Sequence, residues 1–183
     1  FFNMLECDAS EDLQKIAYDI MPMVTEYGND VNLDPVLFQR VNAVYKQKAT
    51  LKLTPEQKML LDKTYRGFVR SGANLTDEQK ATYRDISNKL SDLSLKFKDN
   101  LLKETNSFTL DLTNKDELKG LPESVLAMAE MTAKSKGKTG WVFDLSAPSY
   151  GAFMKYSENR DLRKKMFIAY ATRCFKGNEY DNS

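Results

Sequence analysis

A chain of 183 residues is long enough for one domain or a large part of one, and its 42% hydrophobic and 29% charged content describes an ordinary globular protein that can build a core without disulfides. Lys and Arg number 27 against 26 Asp and Glu, so the totals hold no excess that would favour nucleic acid or an anionic membrane, and no apolar run approaches the about 20 residues that span a bilayer. Histidine is absent, which excludes imidazole ligation of zinc, acyl-transfer triads and most general acid–base sites from these residues.

Helical periodicity dominates the first hundred residues. From Asp8 to Tyr27, apolar side chains recur at Leu13, Ile16, Ala17, Ile20, Val24 and Tyr27, three or four apart on one face. Pro22 is expected to kink this helix or end it early, because proline lacks the N–H of a helical rung. Asp34-Pro35 reads as an N-cap with proline at the first helical position, opening a helix with Leu37, Val41, Val44 and Tyr45 inside. Thr54-Pro55-Glu56-Gln57 is a capping box for a helix carrying Leu60, Leu61, Tyr65, Phe68 and Val69, closed by Gly72. Thr76-Asp77-Glu78-Gln79 is a second box. It starts the longest helix, whose stripe Tyr83, Ile86, Leu90, Leu93, Phe97, Leu101 predicts antiparallel packing against the helices before it.

The period then drops to two. Phe108, Leu110 and Leu112 alternate with Thr109 and Asp111, and Trp141, Phe143 and Leu145 alternate with Val142 and Asp144. Pro122 to Lys136, closed by Gly137, is a helix between these two short strands. Pro148 starts another short helix, and Asn159 caps the last, with Leu162, Met166, Ala169 and Tyr170 inward. The fold class is therefore mostly α, a multi-helix antiparallel bundle with a small two-stranded β element. Helices occupy about 1–105 and 148–176, with an α/β insert at about 106–147. Both ends read as cut. Phe1-Phe2 expose apolar rings at a terminus, and Asp181-Asn182-Ser183 are N-cap residues with no helix after them.

Several motifs nearly match and fail. Asp30-Val31-Asn32-Leu33-Asp34-Pro35 has calcium-loop spacing, but the obligatory glycine is Pro35 and the closing glutamate is Val41. Gly137-Lys138-Thr139 resembles the end of a phosphate loop, whose first glycine would fall at Thr132 inside a helix. Asn74-Leu75-Thr76 satisfies the glycosylation sequon, with Thr76 better used as a cap. Cys7 and Cys174 read as two buried, reduced thiols. Arg160, Arg163 and Arg173 read as a solvated or ion-paired face. No residue is assigned a catalytic, cofactor-binding or metal-ligating role.

Arg70-Ser71-Gly72-Ala73-Asn74-Leu75 and the helix ending Leu95-Lys96-Phe97-Lys98-Asp99-Asn100-Leu101-Leu102 resemble the N-terminal region of the thimet-oligopeptidase-like zinc metallopeptidases. So do Leu118-Lys119-Gly120-Leu121-Pro122-Glu123, Pro148-Ser149-Tyr150, Asn159-Arg160-Asp161-Leu162-Arg163, Arg173 and Asp181-Asn182, in the family's order. The opening Phe1-Phe2-Asn3-Met4 and the overall run look most like the peptidyl-dipeptidase branch, then the oligopeptidase A branch. The resemblance implies an almost wholly helical, two-lobed peptidase with a deep channel. Its zinc would lie on an H-E-x-x-H helix beyond Ser183, where the metal activates a water. Residues 1–183 would then form a non-catalytic lobe without zinc, one wall of a channel that admits short peptides. The implied partners are those peptides and the missing catalytic domain, with no nucleic acid or membrane, in the cytoplasm. From a different class, a free-standing helical module could take a partner helix in a groove.

Overall fold

The computed structural model describes residues 1–7 and 10–183, without the side chains of Glu6 and Cys7. The expected helix start at Asp8 and the Cys7 thiol therefore lie outside the described residues. In chain order the elements are α1 (Phe2–Cys7), α2 (Glu11–Leu33), α3 (Pro35–Lys46), α4 (Pro55–Arg70), α5 (Asp77–Ser107), β1 (Leu110–Leu112), a 3₁₀ turn (Lys115–Leu118), α6 (Glu123–Ser135), β2 (Trp141–Phe143), α7 (Ala147–Tyr156) and α8 (Arg160–Ala171). This is the expected mostly helical chain with a two-stranded antiparallel sheet. It forms two compact units, Phe1–Leu95 and Lys96–Ser183.

Cap chemistry sets the helix starts in the first unit. Asp34 accepts from the amides of Val36 at 2.7 Å and Leu37 at 3.1 Å. Thr54 and Gln57 exchange bonds of 3.3 and 3.0 Å, as do Thr76 and Gln79, so two orphan donors are satisfied at each start. The end of α4 is equally local. Ala73 donates to the Phe68 carbonyl and Gly72 to that of Val69, the paired bonds of a Schellman turn. Gly72 holds φ at +92° there, a left-handed value that costs glycine least.

Three expectations for this unit need correction. Of the two outcomes expected at Pro22, the early end does not occur: α2 runs through it to Leu33, with the loss of the one rung that proline cannot donate. Asp30 to Leu33 are thus helical rather than a calcium loop. In α3 the buried residue is Phe38, while Leu37 and Val44 are exposed. The rings of Tyr65 and Phe68 on α4 lie 5.9 and 6.1 Å from Phe38, and Tyr45 stacks on Tyr65 at 3.8 Å, so the packed side of α3 keeps Tyr45 and gains Phe38 in place of Leu37. Finally, the stripe of α5 is not its packed side. Ile86, Leu90 and Leu93 are 60 to 63% exposed.

In the second unit, β1 and β2 pair antiparallel with Leu110 opposite Phe143 and Leu112 opposite Trp141. Leu110, Leu112, Phe143 and Leu145 form one core with Leu118, Leu121, Ala129, Phe153, Met166 and Ala169. Of the inward residues expected on α8, Met166 and Ala169 are buried and Leu162 packs against this core, whereas Tyr170 is exposed and stacks on Tyr150 at 4.2 Å. Gly137 and Lys138 donate to the carbonyls of Lys134 and Ala133, so the phosphate-loop look-alike is the closing turn of α6. At Gly140, with φ +85°, a Cβ would sit 2.3 Å from the Leu112 carbonyl oxygen. Only glycine lets the chain enter β2 this close to β1.

Candidate functional site

No three His, Cys, Asp or Glu side chains converge to hold a metal among the described residues, and no described helix is long and apolar enough to cross a membrane. Three other features carry chemistry.

The first is the outer face of α5. Thr25 of α2 bonds Ser91 at 2.9 Å, and Arg84 pairs with Glu26 and, at 2.8 Å, with Asp30. Advancing along α2 meets α5 in reverse, so the two run antiparallel as the period predicted, but through polar side chains. Asn29, buried at this level of α2, leaves its amide nitrogen without a partner among the described residues. Packing this polar edge leaves Ile86, Leu90 and Leu93 facing outward. Three large apolar side chains in about two turns form a patch of the kind that marks an interaction surface.

The second is a buried carboxylate. Glu104, only 3% exposed near the end of α5, accepts from the Cys174 amide, from Asn178 Nδ2 at 3.2 Å and from Lys176 Nζ at 2.9 Å. Burial alone would push its pKa up. Those donors outweigh burial and hold the carboxyl below its ordinary value. Cys174 reaches this position with φ +57°, and burial and Glu104 push its thiol up, which disfavours the thiolate that nucleophilic chemistry uses. Asn100 and Asn182 share a 2.8 Å bond. Asp181 accepts from the Ser183 hydroxyl at 2.6 Å, the Ser183 amide at 2.8 Å and the Gly177 amide at 2.5 Å, which lowers its pKa to about 2. The network ties residues 174–183 to the end of α5. Sequence reasoning missed Glu104, whose partners lie some 70 positions downstream.

The third feature is at α8, where the three arginines separate. Arg173 stacks on the Tyr170 ring at 3.7 Å and donates to Thr105 at 2.9 Å, a packing role. Arg163 donates to the Ser157 carbonyl. Arg160 has no ion pair among the described residues. With Arg163, Lys164, Phe167 and Met154 it lines an open cavity of about 300 Å³.

No family model matches the chain. Oligopeptidase A of Haemophilus influenzae is 34% identical over 178 residues, which cover 95% of this chain and 26% of that protein. Dipeptidyl carboxypeptidase of Escherichia coli is 29% identical over 182 residues, covering 99% and 27%. A thimet-like oligopeptidase of Dictyostelium discoideum is 25% identical over 179 residues, covering 96% and 26%. These relatives are of the group that the landmarks between Arg70 and Asn182 resemble. The chain spans about a quarter of the length of the curated relatives it matches.

Proposed function

We propose, from its kinship with oligopeptidases along nearly its whole length, that this chain is the N-terminal, non-catalytic lobe of a zinc peptidyl-dipeptidase or oligopeptidase. The observation that carries the reading is a similarity covering 95% of this chain and only 26% of its relative. Hydrolysis of short peptides would belong to the whole enzyme, and this lobe would supply part of the wall of its substrate channel. Zinc does not fit here. The chain has no histidine, and its described carboxylates and thiol do not gather into a ligand set. No step is therefore assigned to a metal on these residues. The catalytic remainder of the enzyme is the proposed partner, and the exposed stripe of α5 supports its presence. The cytoplasm is the proposed compartment, in keeping with only two cysteines.

The test compares the full-length enzyme with residues 1–183 alone. The whole protein should cleave short peptides and contain one zinc by elemental analysis, whereas residues 1–183 should do neither. Hydrolysis or stoichiometric zinc in the isolated lobe would overturn the reading. A second measurement addresses the α5 stripe. Residues 1–183 should enhance an apolar dye, and Leu90→Gln with Leu93→Gln should lower that signal while helicity stays intact. The stripe equally suits a free-standing helical module that captures a partner helix. A reading frame with a stop codon directly after Ser183 would favour that alternative, and a downstream H-E-x-x-H the lobe.

A further inference from the structure

We propose that the concave face made by Met154 of α7 with Arg160, Arg163, Lys164 and Phe167 of α8 binds an acidic peptide segment, holding a carboxylate among the cations and an apolar side chain against the two hydrophobic residues. The proposal stands independently of the peptidase reading.

The α8 residues recur at intervals of three, four and seven, so they share one helix face, and with Met154 they line the open cavity of about 300 Å³. The balanced charge of the whole chain conceals a local excess. From Met154 to Phe167 there are five cations, Lys155, Arg160, Arg163, Lys164 and Lys165, against Glu158 and Asp161. Neither Arg160 nor Lys164 has an ion pair among the described residues. Asp161 follows Arg160 about 100° further round the helix. Arg163 is held by its bond to the Ser157 carbonyl, on a residue that is itself buried. That leaves further guanidinium N–H donors in a fixed fork, the geometry that pairs well with a carboxylate.

The apolar members distinguish the ligand. Phe167 is 54% exposed, and an inorganic anion seated among the cations would leave its ring wet. A peptide with a carboxylate next to an aromatic or branched side chain satisfies both halves of the cavity. A nucleic acid would meet only one short cluster of positive charge in a chain of net charge +1, without the extended basic stripe that follows a phosphate backbone.

The test uses the 183-residue chain, backbone amide NMR shifts and the probe acetyl-Glu-Phe-Glu. Shifts should cluster at Met154, Arg163 and Phe167, and affinity should fall as salt is raised. Arg160→Gln combined with Lys164→Gln should weaken binding at least about tenfold, since two of the three cations are lost. Both side chains are exposed, so unchanged helicity and Trp141 fluorescence would show the fold intact. Acetyl-Gln-Phe-Gln, with only a terminal carboxylate, and acetyl-Glu-Phe-Glu-amide, with only side-chain carboxylates, identify which acid is read; binding of either supports the site. Three results would overturn it: equal affinity in the double variant, equal binding of the uncharged acetyl-Gln-Phe-Gln-amide, or tighter binding of a single-stranded oligonucleotide at the same salt.

Discussion

Replacing Phe153 with alanine lowers the unfolding free energy of the Lys96–Ser183 unit by about 3–5 kcal/mol, the range for deleting a fully buried ring. Phe153 has no exposed surface, and its ring meets Phe143 edge-on at a centroid distance of 4.7 Å. Phe143 comes from β2 and Phe153 from α7, so the pair couples the sheet to the helices of this unit. Deletion leaves a void in the core that Phe153 shares with Leu110, Leu145 and Met166, which only concerted shifts of strand and helix could fill. The chain has one tryptophan, Trp141, and it lies on β2. Urea unfolding followed by its fluorescence therefore reads this unit. A loss below about 1 kcal/mol, no larger than that of an exposed truncation in the same unit such as Met131→Ala, would show that the ring pair does not organise this core.

Glu104→Ala should cost about 2–4 kcal/mol in the same measurement, because it leaves the Cys174 amide and the Lys176 and Asn178 donors without their acceptor. The pH dependence follows from the direction of the shift. Burial raises the Glu104 carboxyl, the hydrogen bonds outweigh it, and the folded pKa ends below the ordinary 4.5. The unfolded chain thus takes up a proton at a higher pH than the folded chain does. Stability from this group is complete above about pH 4.5 and is lost as pH falls through the folded value. Asp181 acts in the same sense, between 3.8 and about 2. So does Asp111, lowered chiefly by its hydrogen bond from Lys138. The wild-type chain should therefore lose stability on acidification, and Glu104→Gln should flatten the portion just below pH 4.5 while Asp111 and Asp181 retain theirs. Parallel acid profiles for the two proteins would mean that Glu104 does not carry this dependence.

The parts of the fold that were legible in the sequence are those decided within a few residues. Asp34, Thr54, Thr76 and Asn159 cap helices because each side chain reaches amides two or three positions ahead. The strands were legible because period two places Leu110, Leu112 and Phe143 in one buried cluster, although β2 does not alternate in burial, since Val142 is as buried as Phe143. What the sequence withheld depends on partners distant along the chain. Periodicity marked Ile86, Leu90 and Leu93 as one face of α5, yet an apolar stripe carries no information about which neighbour covers it. Here the Arg84 and Ser91 edge meets α2 instead. Phe38 displaced Leu37 because two rings on α4 supply better contact. Arg160 and Arg163 stood out as charges, but the cavity needed Met154 from another helix to become a site. Lys164 and Phe167 were readable at helical spacing from Arg160, had the apolar residue been counted with the cations.

The burial of Glu104 also fixes an order of events during synthesis. α3 and α4 are neighbours in sequence, so their aromatic contacts close a short loop and can form early. Glu104 meets Cys174 across 70 residues, a loop that costs more entropy to close. While the chain is being made, the end of α5 emerges from the ribosome long before residues 174–178 exist. Until they arrive the carboxylate stays hydrated, and the last turn of α5 has nothing to hold it down. The Glu104 network therefore closes only once residues 174–178 have been made, and a ribosome stalled before Cys174 would present that carboxylate to water.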